Sequence, residues 1–112
     1  MKTPKLKDIS RSGVMAHVFE YDLKDGDYEM EPINIVPYQK VSIEVSGILE
    51  GSVGVKQGVE DEFISDAKDS FGSVLILDFP AVVPVETTAP FIKPYVIGKG
   101  ENLKIKIYGK GV

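Results

Sequence analysis

The sequence predicts an all-β domain, and two kinds of observation support that fold class. Several short segments alternate apolar and polar residues with a period of two, as strands do when one face covers a core and the other meets water. Glycine and proline separate these segments at intervals of about eight to twelve residues, which is typical of an antiparallel sandwich or barrel. Because apolar residues never recur at helical spacing over a long window, we expect no helix.

The clearest alternation lies near the C-terminal end. Residues 103–108 place Leu and Ile on one face and Lys and Tyr on the other. Residues 89–97 are also strand-like, and Gly98-Lys99-Gly100-Glu101-Asn102 lies between the two segments. This glycine-bounded link predicts a tight turn, so we expect the chain to close with a β-hairpin.

The N-terminal part begins with a segment that has no period. Residues 1–13 contain Pro4 and predict an extended N-terminal arm, followed by one β-sandwich domain over residues 14–112. Residues 14–21 predict a strand, and Asp25-Gly26 predicts a turn. Residues 28–35 would then return as an edge strand, because prolines flank and interrupt them.

The middle of the chain predicts a second hairpin. Residues 40–45 and 52–57 both alternate, and residues 47–51 between them predict a turn. Residues 60–70 are polar and acidic, so we expect a loop with one short strand. Residues 74–79 form a continuous apolar run, which predicts a strand deep in the core.

Length and composition limit the possible function. A chain of 112 residues forms one domain, and 43% apolar with 27% charged residues is ordinary globular usage. The absence of cysteine excludes disulfides and thiolate metal sites. A net charge of −4 argues against nucleic acid as a partner, although residues 1–13 carry +3 and leave −7 for the rest. No apolar run is long enough for a membrane helix or a secretory signal, so we expect a soluble protein with no membrane partner.

No group of residues predicts catalysis. His17 is the only histidine and lies inside a predicted strand, so we expect a structural role for it. Gly98-Lys99-Gly100 and Gly109-Lys110-Gly111 lack the context of a phosphate-binding loop. We therefore predict no catalytic, cofactor-binding or metal-binding residue and no cofactor, and an enzyme is the least favoured class.

Acidic residues and tyrosines leave alternatives open. Acidic side chains crowd residues 20–31 and 60–69. A solvated rim is the favoured interpretation, with calcium or a basic partner surface as alternatives; the EF-hand pattern fails because Met30 stands where it requires glycine. The five tyrosines favour structural roles over a carbohydrate platform. They are Tyr21, Tyr28, Tyr38, Tyr95 and Tyr108.

The order of several short motifs over residues 40–110 carries a resemblance. The motifs are Val45-Ser46-Gly47, Gly51-Ser52-Val53-Gly54-Val55, Asp61-Glu62-Phe63, Ala89-Pro90-Phe91-Ile92-Lys93-Pro94, Gly98-Lys99-Gly100 and the alternating residues 103–108. In this order they resemble small β-sandwich proteins of tailed-bacteriophage structural modules. The chain departs from that pattern after Gln57, where Gly58-Val59-Glu60-Asp61 replaces the common Ser-x-Asp-Gly.

The resemblance implies a jelly-roll-like sandwich and a head decoration or "staple" protein. Such a protein would lie on the outer surface of the virion head, bind the major capsid protein and form a homodimer across shell two-folds, after synthesis in the host cytoplasm. The candidate capsid contacts are the basic residues of the arm, Lys2, Lys5, Lys7 and Arg11. The alternatives are a carbohydrate-binding module displayed on a virion, with a glycan as its ligand, and a tail or neck component.

Overall fold

The computed structural model describes residues 1–111, and Val112, the last residue of the predicted domain, lies outside them. Residues 1–111 contain eight strands and no helix, which confirms the all-β class. The strands are β1 (Lys5–Asp8), β2 (Ala16–Asp22), β3 (Ile33–Asn34), β4 (Lys40–Gly58), β5 (Ser65–Asp66), β6 (Ile76–Leu77), β7 (Ala81–Pro84) and β8 (Phe91–Lys110). They pair antiparallel in one open sheet of a single compact domain.

Two long strands, β4 and β8, form the centre of the sheet. They pair antiparallel from Lys40 opposite Lys110 at one end to Gly58 opposite Phe91 at the other. At the first end, β2 lies beside β8 with β1 outside it, and β7 lies beside β4. At the second end, β3 lies beside β8, and β5 and β6 lie beside β4. The strands β5, β6 and β7 therefore line the edge of β4 that faces away from β8.

Two of the predicted turns are wrong. Residues 47–51 lie inside β4 and residues 98–102 lie inside β8, so both predicted hairpins around them are instead single strands that pair with each other. Gly51 and Gly98 are directly opposed, and a bulge separates Ser46 from Ile48. A Cβ on Gly98 would lie 2.5 Å from the carbonyl oxygen of Glu50. Gly51 and Gly98 permit a close approach of two backbones, and Gly47, at a φ of 100°, lies at the bulge. Glycines in these two roles produce the same sequence signal as a turn.

The first predicted hairpin also pairs differently. β2 lies between β1 and β8, and the returning segment contributes only β3, which pairs with β8. The turn at Asp25-Gly26 is confirmed, with Gly26 at a φ of 79° and its N–H donating to the Leu23 carbonyl at 3.1 Å. The loop with one short strand over residues 60–70 is confirmed by β5. Local pattern identified the strands, but their partners are set by the whole sheet.

The predicted deep strand over residues 74–79 is wrong. Only Ile76–Leu77 pairs in the sheet, and the side chains alternate between core and solvent. Leu75 and Leu77 are buried, whereas Val74, Ile76 and Phe79 are exposed. The continuous apolar run therefore reflects a sheet edge with an exposed apolar face rather than a strand covered on both sides.

The core is one cluster built from the inward faces of both halves of β4 and β8 together with β2, β3 and the connecting segments. Its buried members are Tyr21, Leu23, Met30, Ile33, Ile35, Ile43, Val45, Val53, Val55, Ala67, Leu75, Leu77, Val85, Ile92, Leu103, Ile105 and Ile107. The Tyr21 hydroxyl donates to the Glu31 carbonyl at 2.5 Å, so this buried polar group is satisfied. Burial raises the pKa of Tyr21. No residue of 1–13 belongs to the core.

Candidate functional site

The N-terminal arm lies at one end of the sheet, paired along β2 from Lys5 opposite Glu20 to Asp8 opposite His17. Lys2 is held in place: its ammonium donates to Asp25 at 2.5 Å, and its backbone exchanges hydrogen bonds with Glu29 and Glu31. This contact raises the pKa of Lys2 and lowers that of Asp25. Of the four predicted contact residues, Lys2 is therefore engaged within the chain.

The other three basic residues of the arm are free to meet a partner. Lys5, Lys7 and Arg11 are exposed and make no ion pair within residues 1–111. Lys5 and Lys7 lie two residues apart on β1, so they project from the same face of the strand. Lys5, Lys7 and Arg11 are called the cationic edge below.

His17 connects the arm to the body. Its Nδ1 shares a hydrogen bond of 2.6 Å with the Tyr38 hydroxyl, and its Nε2 lies 3.7 Å from the Asp8 carboxylate. The two rings meet edge to face with centroids 5.7 Å apart. Burial raises the pKa of Tyr38, and hydrogen bonds from Ser10 lower that of Asp8. The imidazole is satisfied by neighbours that join β1, β2 and the segment before β4.

The edge of the sheet opposite β1 exposes apolar side chains. Residues 59–84 contain β5, β6, β7 and the loops around them, along the outer edge of β4. The large apolar side chains exposed in this segment are Val59, Ile64, Phe71, Val74, Ile76, Phe79 and Val82. We call these seven residues the apolar edge. Seven of the thirteen exposed large apolar side chains in residues 1–111 lie along this edge, and such a concentration is typical of an interaction surface.

Phe71 is the most exposed member of the apolar edge, with 91% of its surface open to solvent. It lies in a turn that Asp69 holds: the Asp69 carboxylate accepts hydrogen bonds from the backbone N–H of Phe71 at 2.9 Å and of Ser73 at 3.0 Å. The N–H of Gly72, at a φ of 82°, donates to the Asp69 carbonyl. The turn therefore holds the backbone of Phe71 in place and presents its aromatic ring to solvent, where a partner pocket could receive it.

A shallow cleft of about 390 Å³ brings two of the five tyrosines together. Tyr28, Phe63 and Tyr95 line it with Lys56 and Lys93. The Lys56 ammonium lies 5.2 Å from the Tyr95 ring centroid. Burial, together with a nearby carboxylate, raises the pKa of Tyr95 to about 12. Aromatic rings can stack on the apolar face of a sugar ring, and the charged side chains beside them can hydrogen-bond its hydroxyl groups.

The acidic clusters do not converge on a cation site. Among residues 1–111, no group of three or more His, Asp or Glu side chains is placed to hold a metal ion. In the first cluster the carboxylates of Asp22, Asp25 and Asp27 accept hydrogen bonds from the backbone N–H two residues later. These side chains shape the loop, in the manner of Asx turns.

No helix in the described residues is long and apolar enough to cross a membrane.

The sequence pointed to the cationic edge but missed the apolar edge. Net charge alone distinguishes residues 1–13, whereas the predicted polar loop ends at Ser70 and Phe71 receives no role. The available signal was a lone large aromatic between Asp69 and Gly72 in a turn-forming segment.

No protein-family model matches this sequence, and no curated protein matches it. Among solved structures, the chain is similar to the SPBc2 prophage-derived protein YomS, at 9% identity with a TM-score of 0.66, over 93% of this chain and all of that one. It also aligns with protein NMB1881 of Neisseria meningitidis at 12% identity (TM-score 0.42, 94% of this chain and 82% of that one). The Drosophila melanogaster CENP-C cupin domain aligns at 8% identity (TM-score 0.45, 96% and 71%). The chain thus shares its fold with a prophage-derived protein.

Proposed function

We propose that this chain is a non-enzymatic structural protein of a bacteriophage virion that decorates the outside of the head and joins neighbouring subunits of the major capsid protein. One observation carries the proposal: two chemically different exposed surfaces lie on opposite lateral edges of one sheet. The cationic edge lies along β1 and the apolar edge along β5, β6 and β7. A protein that clamps two neighbours needs two such separated contact surfaces.

The two edges suit different parts of a shell. Lys7 and Arg11 would meet acidic surface on one subunit, and Phe71 would insert into an apolar pocket on the next. Each contact is small, but many identical copies held in register on a shell bind with avidity far above the affinity of one contact. The structural likeness to a prophage-derived protein supports a phage origin.

We also propose that the domain is a jelly-roll-like sandwich. The single core includes Ile43 and Ile107 from one half of the long strands and Val55 and Ile92 from the other half. Facing halves of this kind would form the two layers. A homodimer across shell two-folds is included in the proposal, because it doubles the number of edges available to the shell.

Binding of variants to purified capsid shells that lack this protein tests the proposal. Phe71→Ser should weaken shell binding by roughly thirty-fold or more, as loss of an anchor residue does. Val36→Ser is the matched control, because Val36 is an exposed apolar residue outside the apolar edge. For the cationic edge, the Lys7→Glu/Arg11→Glu pair should weaken binding more than Lys99→Glu. Shell binding that is unchanged in both the Phe71 and the paired variants would overturn the proposal.

A second candidate function rests on the cleft between Tyr28 and Tyr95, which is the feature that a carbohydrate-binding module displayed on a virion would use. In that case the purified protein would bind members of a glycan array, and Tyr95→Ala would abolish the binding. An array without bound glycans would eliminate this candidate and leave the head protein.

A further inference from the structure

The outer face of the sheet carries a regular pattern of charge. Lys5, Glu20, Lys106 and Glu44 are successive cross-strand partners on β1, β2, β8 and β4. Direct partners project from the same side of a sheet, so these four side chains form one row on one face. Their charges alternate in sign along the row, beginning with positive and ending with negative.

On β2 and β8, one neighbouring row repeats this charge order and the other pairs two uncharged side chains. Val18 on β2 is the partner of Tyr108 on β8, and Asp22 on β2 is the partner of Lys104 on β8. On the outer face, β2 therefore presents one apolar and two acidic side chains, whereas β8 presents one aromatic and two basic side chains. The charge of the face therefore changes from negative on β2 to positive on β8.

This pattern is complementary to itself. Consider a two-fold axis above this face that runs parallel to β2 and β8, over the line between them. It would place β2 of one copy over β8 of the second copy, and β8 of the first copy over β2 of the second. Glu20 then meets Lys106 of the second copy, and Lys5 meets Glu44. Asp22 meets Lys104 by the same operation, and Val18 packs on Tyr108. We propose that this outer face is the surface through which two copies of this chain form a two-fold symmetric dimer.

Pairing within one chain does not account for the whole pattern. Glu20 and Lys106 form an ion pair of 3.6 Å in the single chain. Lys5, Glu44 and Lys104 make no ion pair within residues 1–111. A second copy would give each of these three charges an opposite partner. A hollow of about 250 Å³ on the same face, lined by Val18, Val82 and Tyr108 among others, gives apolar side chains of the second copy a place to pack.

The size of the face sets the strength of the dimer. The four strands that the two-fold superposes and five residue positions span about 19 Å by 17 Å, on the order of 300 Å². A stable complex buries about 800 Å² on each partner, so we expect a weak dimer that salt dissociates.

The inference rests on the dimer included in the proposed function. It assigns some exposed residues to the second copy of the chain and others to the capsid shell. Lys5 belongs to the dimer. Lys7 lies on the same face in the row of Ser42, where the second copy offers no opposite charge; because β1 is the outermost strand of this face, the long Lys7 side chain can reach past the rim toward the shell. Arg11 and the apolar edge are left for the shell.

Mixing two charge-reversal variants tests the interface. Lys5→Glu should be monomeric because the introduced carboxylate would oppose Glu44 of the second copy. Glu44→Lys should be monomeric because the introduced ammonium would oppose Lys5. In an equimolar mixture both contacts join opposite charges, so the heterodimer should form. Sedimentation velocity at roughly 1 mM protein and low salt, where weak dimers are populated, measures each sample. Glu101→Lys is the control, since Glu101 is exposed on β8 outside this face, and it should dimerise like the wild type.

The Lys5→Glu/Glu44→Lys double variant separates the dimer from pairing within one chain. Within one chain the double variant places like charges beside each other on adjacent strands, whereas across the two-fold it restores opposite charges. It should therefore dimerise, and circular dichroism should show that each variant is folded. A wild type that remains monomeric, or a mixture that stays monomeric, would overturn the inference. A monomeric wild type that binds shells would remove the dimer and leave shell decoration standing, and a dimer that fails to bind shells would reject shell decoration alone.

Discussion

The ring of Tyr95 lies across Gly54, its direct cross-strand partner, and fills the space that a Cβ would occupy. From this position the Tyr95 hydroxyl donates to the Asp66 carboxylate at 3.0 Å, which links β8 to β5 across β4. Tyr38 covers Gly109 in the same way at the other end of β8. Aromatic rings laid over sheet glycines compensate for the missing side chain and fix the register of neighbouring strands.

Gly54→Ala should lower the free energy of unfolding by about 1–3 kcal/mol, because the new methyl group overlaps the Tyr95 ring. Urea denaturation measures the loss. In a Tyr95→Ala background the same change should cost much less, since the overlap is gone, and a double-mutant cycle gives the coupling. An equal cost in both backgrounds would show that the ring does not occupy this place.

The tyrosines make the fold sensitive to alkali. The pKa of Tyr95 is raised from 10.0 to about 12, and burial also raises the pKa values of Tyr21 and Tyr38. A raised pKa in the folded state means that the folded chain holds the proton more tightly, so this stabilisation is complete below pH 10 and declines above it. Ultraviolet absorbance of tyrosinate should show late-titrating groups, and Asp66→Asn should lower the pKa of Tyr95. Ionisation of all tyrosines together near their ordinary pKa would contradict this.

A comparison of Gly98 with Gly72 separates the backbone strain of an added side chain from its steric overlap with neighbouring atoms. Both have positive φ, at 95° and 82°, but a Cβ on Gly98 meets the Glu50 carbonyl, while a Cβ on Gly72 meets no atom within 4 Å. Gly72→Ala should cost about 1–2 kcal/mol of backbone strain. Gly98→Ala should cost roughly 1–3 kcal/mol more from overpacking. Equal losses in chemical denaturation would mean that the two long strands do not approach closely there.

Deletion of residues 1–13 should leave a folded domain, because none of them belongs to the core. The loss of the β1 pairing should lower the Tm by about 5–10 °C, which corresponds to roughly 1–2 kcal/mol for a domain of this size. Thermal unfolding followed by circular dichroism measures it. Ile105→Ala gives the contrast, with an expected loss of about 2–5 kcal/mol from a core cavity. A truncated chain without a cooperative transition would show that the arm is part of the fold.

The strand segments could be predicted from the sequence because their two-residue period is local. Residues 40–45 and 52–57 are both in strands, as are residues 103–108. Their connections could not be predicted, because a glycine at Gly51 or Gly98 gives the same signal in a tight turn as in a bend where two backbones approach. The distinction depends on which strand lies opposite, and that is decided by pairs more than forty residues apart, such as Gly51 with Gly98.

The candidate site was predictable only where it depended on composition. The positive charge of the arm is visible in residues 1–13, although Lys2 proves to be engaged by Asp25. The apolar edge is created by the topology, which places three short strands along one side of β4. No local pattern around Phe71 or Val82 indicates that they belong to the same edge of a sheet.

The copy number of this chain in purified virions tests the central claim most directly. Quantitative gel or mass-spectrometric analysis would compare it with the major capsid protein in the same particles. A head decoration protein should be present at on the order of hundreds of copies, in a fixed ratio to the shell subunits, because the shell repeats the same contact by symmetry. A number that fits a single ring would point to the tail or neck, and its absence from the particles would contradict a virion role altogether.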